Sequence, residues 1–192
     1  MSLAIIQEQE YNKLDFTKNP LTRAEYELCV FASCDFSNSD LSNSKFIECE
    51  FIDCNLSSSN IFGSSFQEVK FEDCKMLGVR FDLCDNFGLT IDFTNCQLDH
   101  SSFYQLKLIN FSFLNSKLKE VDFTEANLTK ASFDNCDLSG AIFERSNLER
   151  SNFNTAFNYS IDPESNKLKG AFFSIPAVTG LLDKYKLKIA VQ

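Results

Sequence analysis

The chain has 192 residues, a formal net charge of −9 and a sequence pI near 4.6. This length suits one elongated domain with at most a small appendage, and the acidic balance disfavours a nucleic-acid ligand and favours a basic partner surface. The apolar run from Leu3 to Ile6 is too short, and too closely followed by Glu8 and Glu10, for a signal peptide or a membrane span. We therefore expect a cytoplasmic protein without a membrane partner.

Large apolar residues recur at every fifth position along most of the chain. One series runs from Phe16 to Phe81, and a second runs from Phe93 to Phe153, where Phe and Leu alternate without a break. Neither an α-helix nor a β-strand has a period of five, so the repeat itself must be the structural unit. Fifteen of the 21 phenylalanines occupy these positions. We expect their side chains to fill a narrow core.

Small residues precede the large ones by two positions, and all eight cysteines belong to this set. Cys34, Cys54 and Cys74 are 20 residues apart, which indicates one ladder rather than convergent metal ligands. Cysteine in this pattern is interchangeable with alanine and serine as a small core residue. We therefore expect free thiols, no metal site and no cofactor.

The pentads resemble the A(D/N)LXX pattern of the pentapeptide-repeat family. Matching segments are CDFSN at 34–38, ANLTK at 126–130 and CDLSG at 136–140, and the pattern covers roughly residues 14–158. The resemblance implies an all-β solenoid, namely a right-handed quadrilateral β-helix with four pentads in each 20-residue coil. At a strand spacing of about 4.8 Å, the repeats would form just under seven coils and a rod roughly 32 Å long.

The five-residue frame slips once. Phe81 and Phe93 are twelve residues apart rather than ten, so the segment 84–92 carries two extra residues. Gly88 supplies a backbone that can turn sharply at this point. We expect a bulge or kink where two stacks of coils join.

Different structure is expected at the two ends of the chain. Residues 1–13 are predicted to lead into the β-helix, and residues 159–192 to form a terminal partial coil, a capping helix and a tail. Ser174 followed by Ile175 and Pro176 is typical of a helix start, which predicts a short helix near 175–185. The tail from Leu187 to Val191 alternates apolar and polar residues, as an exposed strand would.

The C-terminal end carries more apolar side chains than a lid over a solenoid requires. We expect head-to-head homodimerisation through this end, and a capped monomer is the alternative. The predicted interface residues are Phe172, Leu181, Leu182, Tyr185, Leu187 and Ile189.

Charge is distributed unevenly along the chain. Residues 1–158 carry 24 acids and 13 bases, net −11, whereas residues 159–192 carry 3 acids and 5 bases, net +2. Stacking of coils would place like charges next to one another, where they repel even when screened by water and salt. We therefore expect a partner-binding acidic face, with a solvated face that only keeps the rod soluble as the alternative. The residues of this face are Glu48, Glu50, Asp53, Glu68, Glu72 and Asp73.

No pattern in the sequence predicts catalysis. His100, the only histidine, lies beside Asp99 and Ser101, but catalytic triads are assembled from residues brought together by the fold rather than from neighbours in sequence. The sequence has neither a phosphate-binding glycine loop nor an HExxH zinc motif. We expect a protein that is not an enzyme.

Within the family, the chain resembles the gyrase-protecting quinolone-resistance proteins of the Qnr and MfpA type. The matching features are LDFT at 14–17, the FG break at 87–88 and IDP at 161–163. The resemblance implies a DNA mimic, an acidic dimeric rod that binds DNA gyrase or topoisomerase IV and modulates quinolone sensitivity without binding nucleic acid itself. The alternative is a generic protein-interaction scaffold with no topoisomerase role, because a fold does not fix a function.

Overall fold

The computed structural model describes residues 3–189, which form a parallel β-solenoid of about eight turns. The strands are short because the chain turns a corner every five residues. All pairings between strands are parallel. The strands are β1 Ile5–Gln7, β2 Glu10–Asn12, β3 Glu25–Glu27, β4 Val30–Ala32, β5 Lys45–Ile47, β6 Glu50–Ile52, β7 Ser65–Gln67, β8 Val69–Glu72, β9 Ile91–Thr94, β10 Ser112–Leu114, β11 Asn152–Phe153 and β12 Phe172–Phe173.

Paired residues of adjacent coils lie 20 positions apart, as Phe31 and Phe51 do in β4 and β6. One sheet has the order β1-β3-β5-β7, a second has the order β2-β4-β6-β8-β9-β10, and β11 pairs with β12. Isolated bridges, such as Lys107 with Asn127, continue the same register on the other sides of the rod. The predicted all-β solenoid is therefore confirmed. It extends beyond residues 14–158, because β1 and β2 add a coil at one end and β12 stacks on β11 at the other.

The corners of the coils are built from residues with a left-handed backbone. Glu48, Asp53 and Asn95 have φ values of 51°, 52° and 56°, and each lies two positions after a large core residue. The left-handed region is costly for most L-residues. The cost is offset by a hydrogen bond to the next coil, such as the 2.8 Å bond that the Glu48 amide donates to the Gln67 carbonyl. Corners of successive coils therefore stack into columns.

One aromatic stack runs the length of the rod. Adjacent ring centroids are 4.7–5.7 Å apart through Tyr11, Phe31, Phe51, Phe71, Phe93, Phe113, Phe133, Phe153 and Phe173. Rings of a neighbouring column meet this stack edge to face, as Phe103 does against Phe113 at 5.6 Å and 84°. Such pairs add about 0.5–1.5 kcal/mol each beyond the burial of apolar area. The predicted core positions are confirmed as buried, with Leu21 half-buried.

The small core positions are also as predicted. All eight cysteines are buried, and all are free thiols. The Cys49 thiol donates to the Tyr26 carbonyl at 3.3 Å, and the Cys136 thiol donates to the Phe113 carbonyl at 2.8 Å. Burial raises the pKa of the Cys96 thiol to about 12, which disfavours the reactive thiolate. The cysteines are packing residues, and thiols such as those of Cys49 and Cys136 also satisfy carbonyl groups of the preceding coil.

The coil register changes once, at the predicted slip. Ser65 pairs with Asp85, 20 residues further on, but Val69 pairs with Ile91, 22 residues further on. Two extra residues therefore lie between Asp85 and Ile91, which confirms the prediction. The first sheet ends at β7, whereas the second sheet crosses the slip through the pairing of β8 with β9. A 3₁₀ helix, Phe81–Leu83, precedes the insertion.

Two 3₁₀ helices, Ile175–Leu181 and Asp183–Tyr185, follow the last coil. They occupy the predicted range, although the N-cap residue Ser174 makes no side-chain capping hydrogen bond. The predicted strand from Leu187 to Val191 is wrong for residues 187–189, because a strand needs a partner edge and none pairs with this segment in the described part of the chain. Residues 190 and 191 lie outside the described residues.

Replacement of Phe103 by alanine tests the stacked core. The ring lies between Phe81 and Phe123, at centroid distances of 4.7 and 5.4 Å, so truncation should leave a cavity. We expect Phe103→Ala to lower the free energy of unfolding by about 3–5 kcal/mol in chemical denaturation. The exposed truncation Ile142→Ala is the control and should change it by less than about 0.5 kcal/mol. Equal stability of the two variants would contradict the stacked core.

Candidate functional site: an acidic side and an apolar end

The predicted acidic residues lie on two neighbouring corners and on the sheet between them. Glu48 and Glu68 occupy the corner that joins the two large sheets, and Asp53 and Asp73 occupy the corner that follows the second sheet. Glu50 and Glu72 belong to β6 and β8, between these corners. Five of the six are exposed, and Glu50 is half-buried. The structure thus brings all six residues to one side of the rod, which we call the acidic side.

Two acids of this region are neutralised by lysines of the adjacent coil. Lys70 Nζ lies 2.9 Å from Glu50 Oε1, and Lys45 Nζ lies 3.1 Å from Glu25 Oε2. The hydrogen bond with Glu50 raises the pKa of Lys70. Exposed ion pairs of this kind contribute little to stability. Glu50 is therefore one half of an ion pair rather than a free negative charge, which the sequence did not reveal.

The corner carboxylates are different. Within residues 3–189, Glu48, Asp53, Glu68 and Asp73 take part in no ion pair. Like charges on adjacent coils lie roughly 4.8 Å apart at the backbone, so they repel one another. This repulsion contributes nothing favourable to folding. The corners therefore form a surface that a cationic partner would stabilise.

A shallow groove of about 560 Å³ runs along the corner that carries Glu48 and Glu68. Four acids, one base and two uncharged residues line it: Leu28, Glu48, Glu50, Glu68, Lys70, Thr90 and Asp92. Asp92 was missed by the sequence analysis because it lies beyond the slip, where the spacing alone does not assign coils. The 22-residue register places it beside Lys70. The acidic side therefore continues across the slip.

The predicted dimer residues lie at the C-terminal end of the rod. Phe172, Leu182, Tyr185, Leu187 and Ile189 are exposed, whereas Leu181 is half-buried and packs against the core. Ile175 was missed, although its side chain is 88% exposed. Its position before Pro176 indicated only a helix start, which does not say which way the side chain faces. These exposed side chains together form the apolar end.

Polar contacts fix the 3₁₀ helices of the apolar end to the last full coil. Lys184 Nζ lies 2.7 Å from Asp162 Oδ1 and 2.5 Å from Glu164 Oε2. The Lys184 ammonium lowers the pKa of both carboxyls. The stability that these ion pairs contribute is therefore present above the ordinary pKa of the carboxyls and is lost as the pH falls through the lowered pKa values. A Cβ on Gly180 would lie 2.2 Å from the Tyr159 carbonyl oxygen, so the close approach requires glycine. The apolar end is thus held in one orientation.

The distinctive surface features of residues 3–189 are their negative charge and their exposed apolar area. Across residues 3–189, no group of His, Cys, Asp and Glu side chains is arranged to hold a metal ion. No helix in the same range has the length and apolar character needed to cross a membrane. The acidic side and the apolar end are therefore the two candidate sites.

Replacement of Asp73 by asparagine tests the repulsion at the corner. Later coils carry asparagine in the same column, and Asn115 Nδ2 donates to Asn95 Oδ1 at 3.2 Å. In Asp73→Asn, an amide would remove one like charge and would donate to Asp53 in the same way. We expect a melting temperature higher by about 1–3 °C at low salt, with a smaller difference at 1 M salt because screening weakens the repulsion.

The matched control is the reverse change in the asparagine column. Asn115→Asp removes the amide donor to Asn95 and adds a charge, so it should lower the melting temperature. If Asp73→Asn also lowers the melting temperature, or if its effect does not depend on salt, the stacked carboxylates do not repel as described.

The sequence matches the profile of the pentapeptide repeat region over residues 24–92 and 89–157. No protein with curated annotation matches the sequence. Solved structures show a similar fold. Full-length QnrB1, described as a plasmid-mediated fluoroquinolone resistance protein, is 16% identical with a TM-score of 0.57, over 96% of this chain and 100% of QnrB1.

A second similar structure is HetL from the cyanobacterium Nostoc, described as a pentapeptide repeat protein involved in heterocyst differentiation regulation. It is 15% identical with a TM-score of 0.51, over 91% of this chain and 88% of HetL. At these identities, both structures show a shared fold and nothing finer. The two matched repeat regions cover more than half of the sequence. The chain therefore belongs to the pentapeptide repeat family.

Proposed function

We propose that this protein is a DNA mimic that binds a type II topoisomerase, DNA gyrase or topoisomerase IV, and modulates its sensitivity to quinolones. The observation that carries the proposal is the acidic side, where corner carboxylates of adjacent coils stack without ion pairs within residues 3–189. The fold similarity to QnrB1, a fluoroquinolone resistance protein, directs the choice of partner. Such a complex would form in the cytoplasm, and no cofactor is required.

The dimensions of the rod support mimicry of a duplex. About eight turns at roughly 4.8 Å each give a length of about 38 Å, close to one helical turn of DNA. The register holds the backbone of these residues at fixed positions, so only the side chains must be ordered when they meet a basic groove. Attraction between the acidic side and that groove would speed association and exclude DNA from the same surface.

We further propose that two copies associate through the apolar end. The exposed residues Phe172, Ile175, Leu182, Leu187 and Ile189 lie near one another in sequence and at one end of the rod. Their burial between two copies would remove apolar area from water, at about 25 cal/mol per Å². A head-to-head dimer would double the length of the acidic rod.

The second candidate function is a general protein-interaction scaffold without a topoisomerase partner. The ion pairs of Lys45 with Glu25 and of Lys70 with Glu50 favour it, because interleaved charges serve the stability of the rod alone. The corner carboxylates separate the two functions, since topoisomerase binding requires them, whereas a scaffold uses them only to remain soluble.

A supercoiling assay with DNA gyrase, with and without a quinolone, tests the proposed function. Wild-type protein at micromolar concentration should inhibit supercoiling or protect gyrase from the drug. Glu48→Lys combined with Glu68→Lys should weaken this effect about tenfold, because it reverses the charge of one corner. Lysine is compatible with the backbone there, since Lys13 and Lys130 have φ values of 53° and 60° at equivalent corners.

The matched control reverses two exposed acids of the second half, Glu120→Lys with Glu144→Lys, which changes the net charge equally. This variant should keep most of the wild-type effect. Topoisomerase binding is refuted if the wild type shows no inhibition and no protection. The choice of the acidic side is refuted if the two variants lose the effect equally.

Sedimentation velocity tests the dimer. Leu182→Glu combined with Leu187→Glu places charges on the apolar end and should convert a wild-type dimer to a monomer. Both side chains are exposed in the single chain, so the rod should remain folded. Ile5→Glu at the opposite end, where Ile5 is also exposed, is the control and should remain a dimer. A monomeric wild type would contradict the proposed interface.

A further inference from the structure

The two-residue insertion at the slip displays one aromatic side chain to solvent. Phe87 is 80% exposed, the largest exposed fraction of any aromatic residue within residues 3–189. Most phenylalanines of the coils are buried in the core, whereas Phe62 and Phe157 are 58% and 44% exposed. The insertion thus presents the most exposed aromatic ring of the described residues.

The backbone around Phe87 is fixed at both sides. The Phe87 amide donates to Asp85 Oδ1 at 3.0 Å, and the Thr90 amide donates to the Phe66 carbonyl at 3.0 Å. The Thr90 carbonyl in turn accepts from the Val69 amide at 3.0 Å. Leu89 packs against the core, which anchors the loop from within. Phe87 is therefore held on an ordered loop and would lose little backbone freedom on binding.

The loop borders the acidic groove. Thr90, three residues after Phe87, lines the groove together with Glu48 and Glu68. Leu83, on the other side of the insertion, is also exposed. An apolar group thus lies next to Glu48 and Glu68, which form no ion pair within residues 3–189. Charge alone would suffice to imitate a phosphate backbone, so the exposed aromatic ring adds a feature that the phosphate backbone lacks.

We propose that Phe87 is the apolar anchor of the complex formed by the acidic side, and that it enters an apolar socket beside the basic groove of the partner. This inference rests on the proposed topoisomerase function and names a second element of the same interface. Buried aromatic anchors surrounded by polar contacts carry much of the affinity in protein interfaces, whereas rim charges chiefly set the association rate and its salt dependence. The complementary partner is therefore a protein surface with both a positive groove and an apolar pocket.

Binding of DNA gyrase, measured by surface plasmon resonance at several salt concentrations, tests the anchor. Phe87→Ala should weaken gyrase binding about thirtyfold, mostly through faster dissociation, and should leave the salt dependence of the affinity unchanged. Glu48→Lys with Glu68→Lys should instead reduce the salt dependence. Phe87→Leu keeps an apolar side chain and should recover part of the loss. Because the ring is exposed, Phe87→Ala should melt at the wild-type temperature.

The control is Ile142→Ala, a truncation of an exposed apolar side chain far from the insertion. Parallel bridges through Ser102 and Asp122 place Ile142 three coils after Arg80, which shortly precedes the insertion. It should bind gyrase as the wild type does. Wild-type binding that Phe87→Ala leaves unchanged would overturn the anchor but not the proposed function. No gyrase binding by the wild type would overturn both.

Discussion

The whole structure depends on the stacking of aromatic rings at 20-residue intervals. Nine rings from Tyr11 to Phe173 form one column, and the column persists across the slip, where the Phe71 and Phe93 centroids are 5.7 Å apart. A shift of one residue would move the ring from the core to the surface, so the column fixes the register of every coil. The outward positions are consequently free to vary without loss of the fold.

Because the outward positions are free to vary, a regular backbone can carry different side chains in different coils. Within residues 3–189, lysines pair with glutamates on the sheets, asparagines form hydrogen bonds with one another at later corners, and the carboxylates of Glu48, Asp53, Glu68 and Asp73 at earlier corners form no ion pair. The same backbone position accepts Glu, Asp, Asn or Lys, because the hydrogen bond to the next coil supports the left-handed corner whatever the side chain. Function in this fold is therefore a matter of which side chains occupy the columns.

The core and the slip were predictable from the sequence because both can be seen in the spacing of the apolar residues. A constant spacing marks the core, and one change of spacing marks the slip. The five-residue period identified the buried residues, and the interval from Phe81 to Phe93 located the insertion. The surface was less predictable. The pairing of Glu50 with Lys70, the placement of Asp92 in the groove and the exposure of Phe87 depend on side-chain directions and on the register across the slip, which spacing does not supply. The strand predicted in the tail was wrong for residues 187–189, because alternation of apolar and polar residues predicts a strand only where a partner edge exists.

The proposed function requires the acidic side to occupy the DNA-binding groove of a type II topoisomerase. Competition with a labelled DNA duplex for gyrase, followed by fluorescence anisotropy, tests it most directly. We expect the protein to displace the duplex, and excess duplex to restore the bound DNA completely. A ternary complex of gyrase, duplex and protein would contradict DNA mimicry.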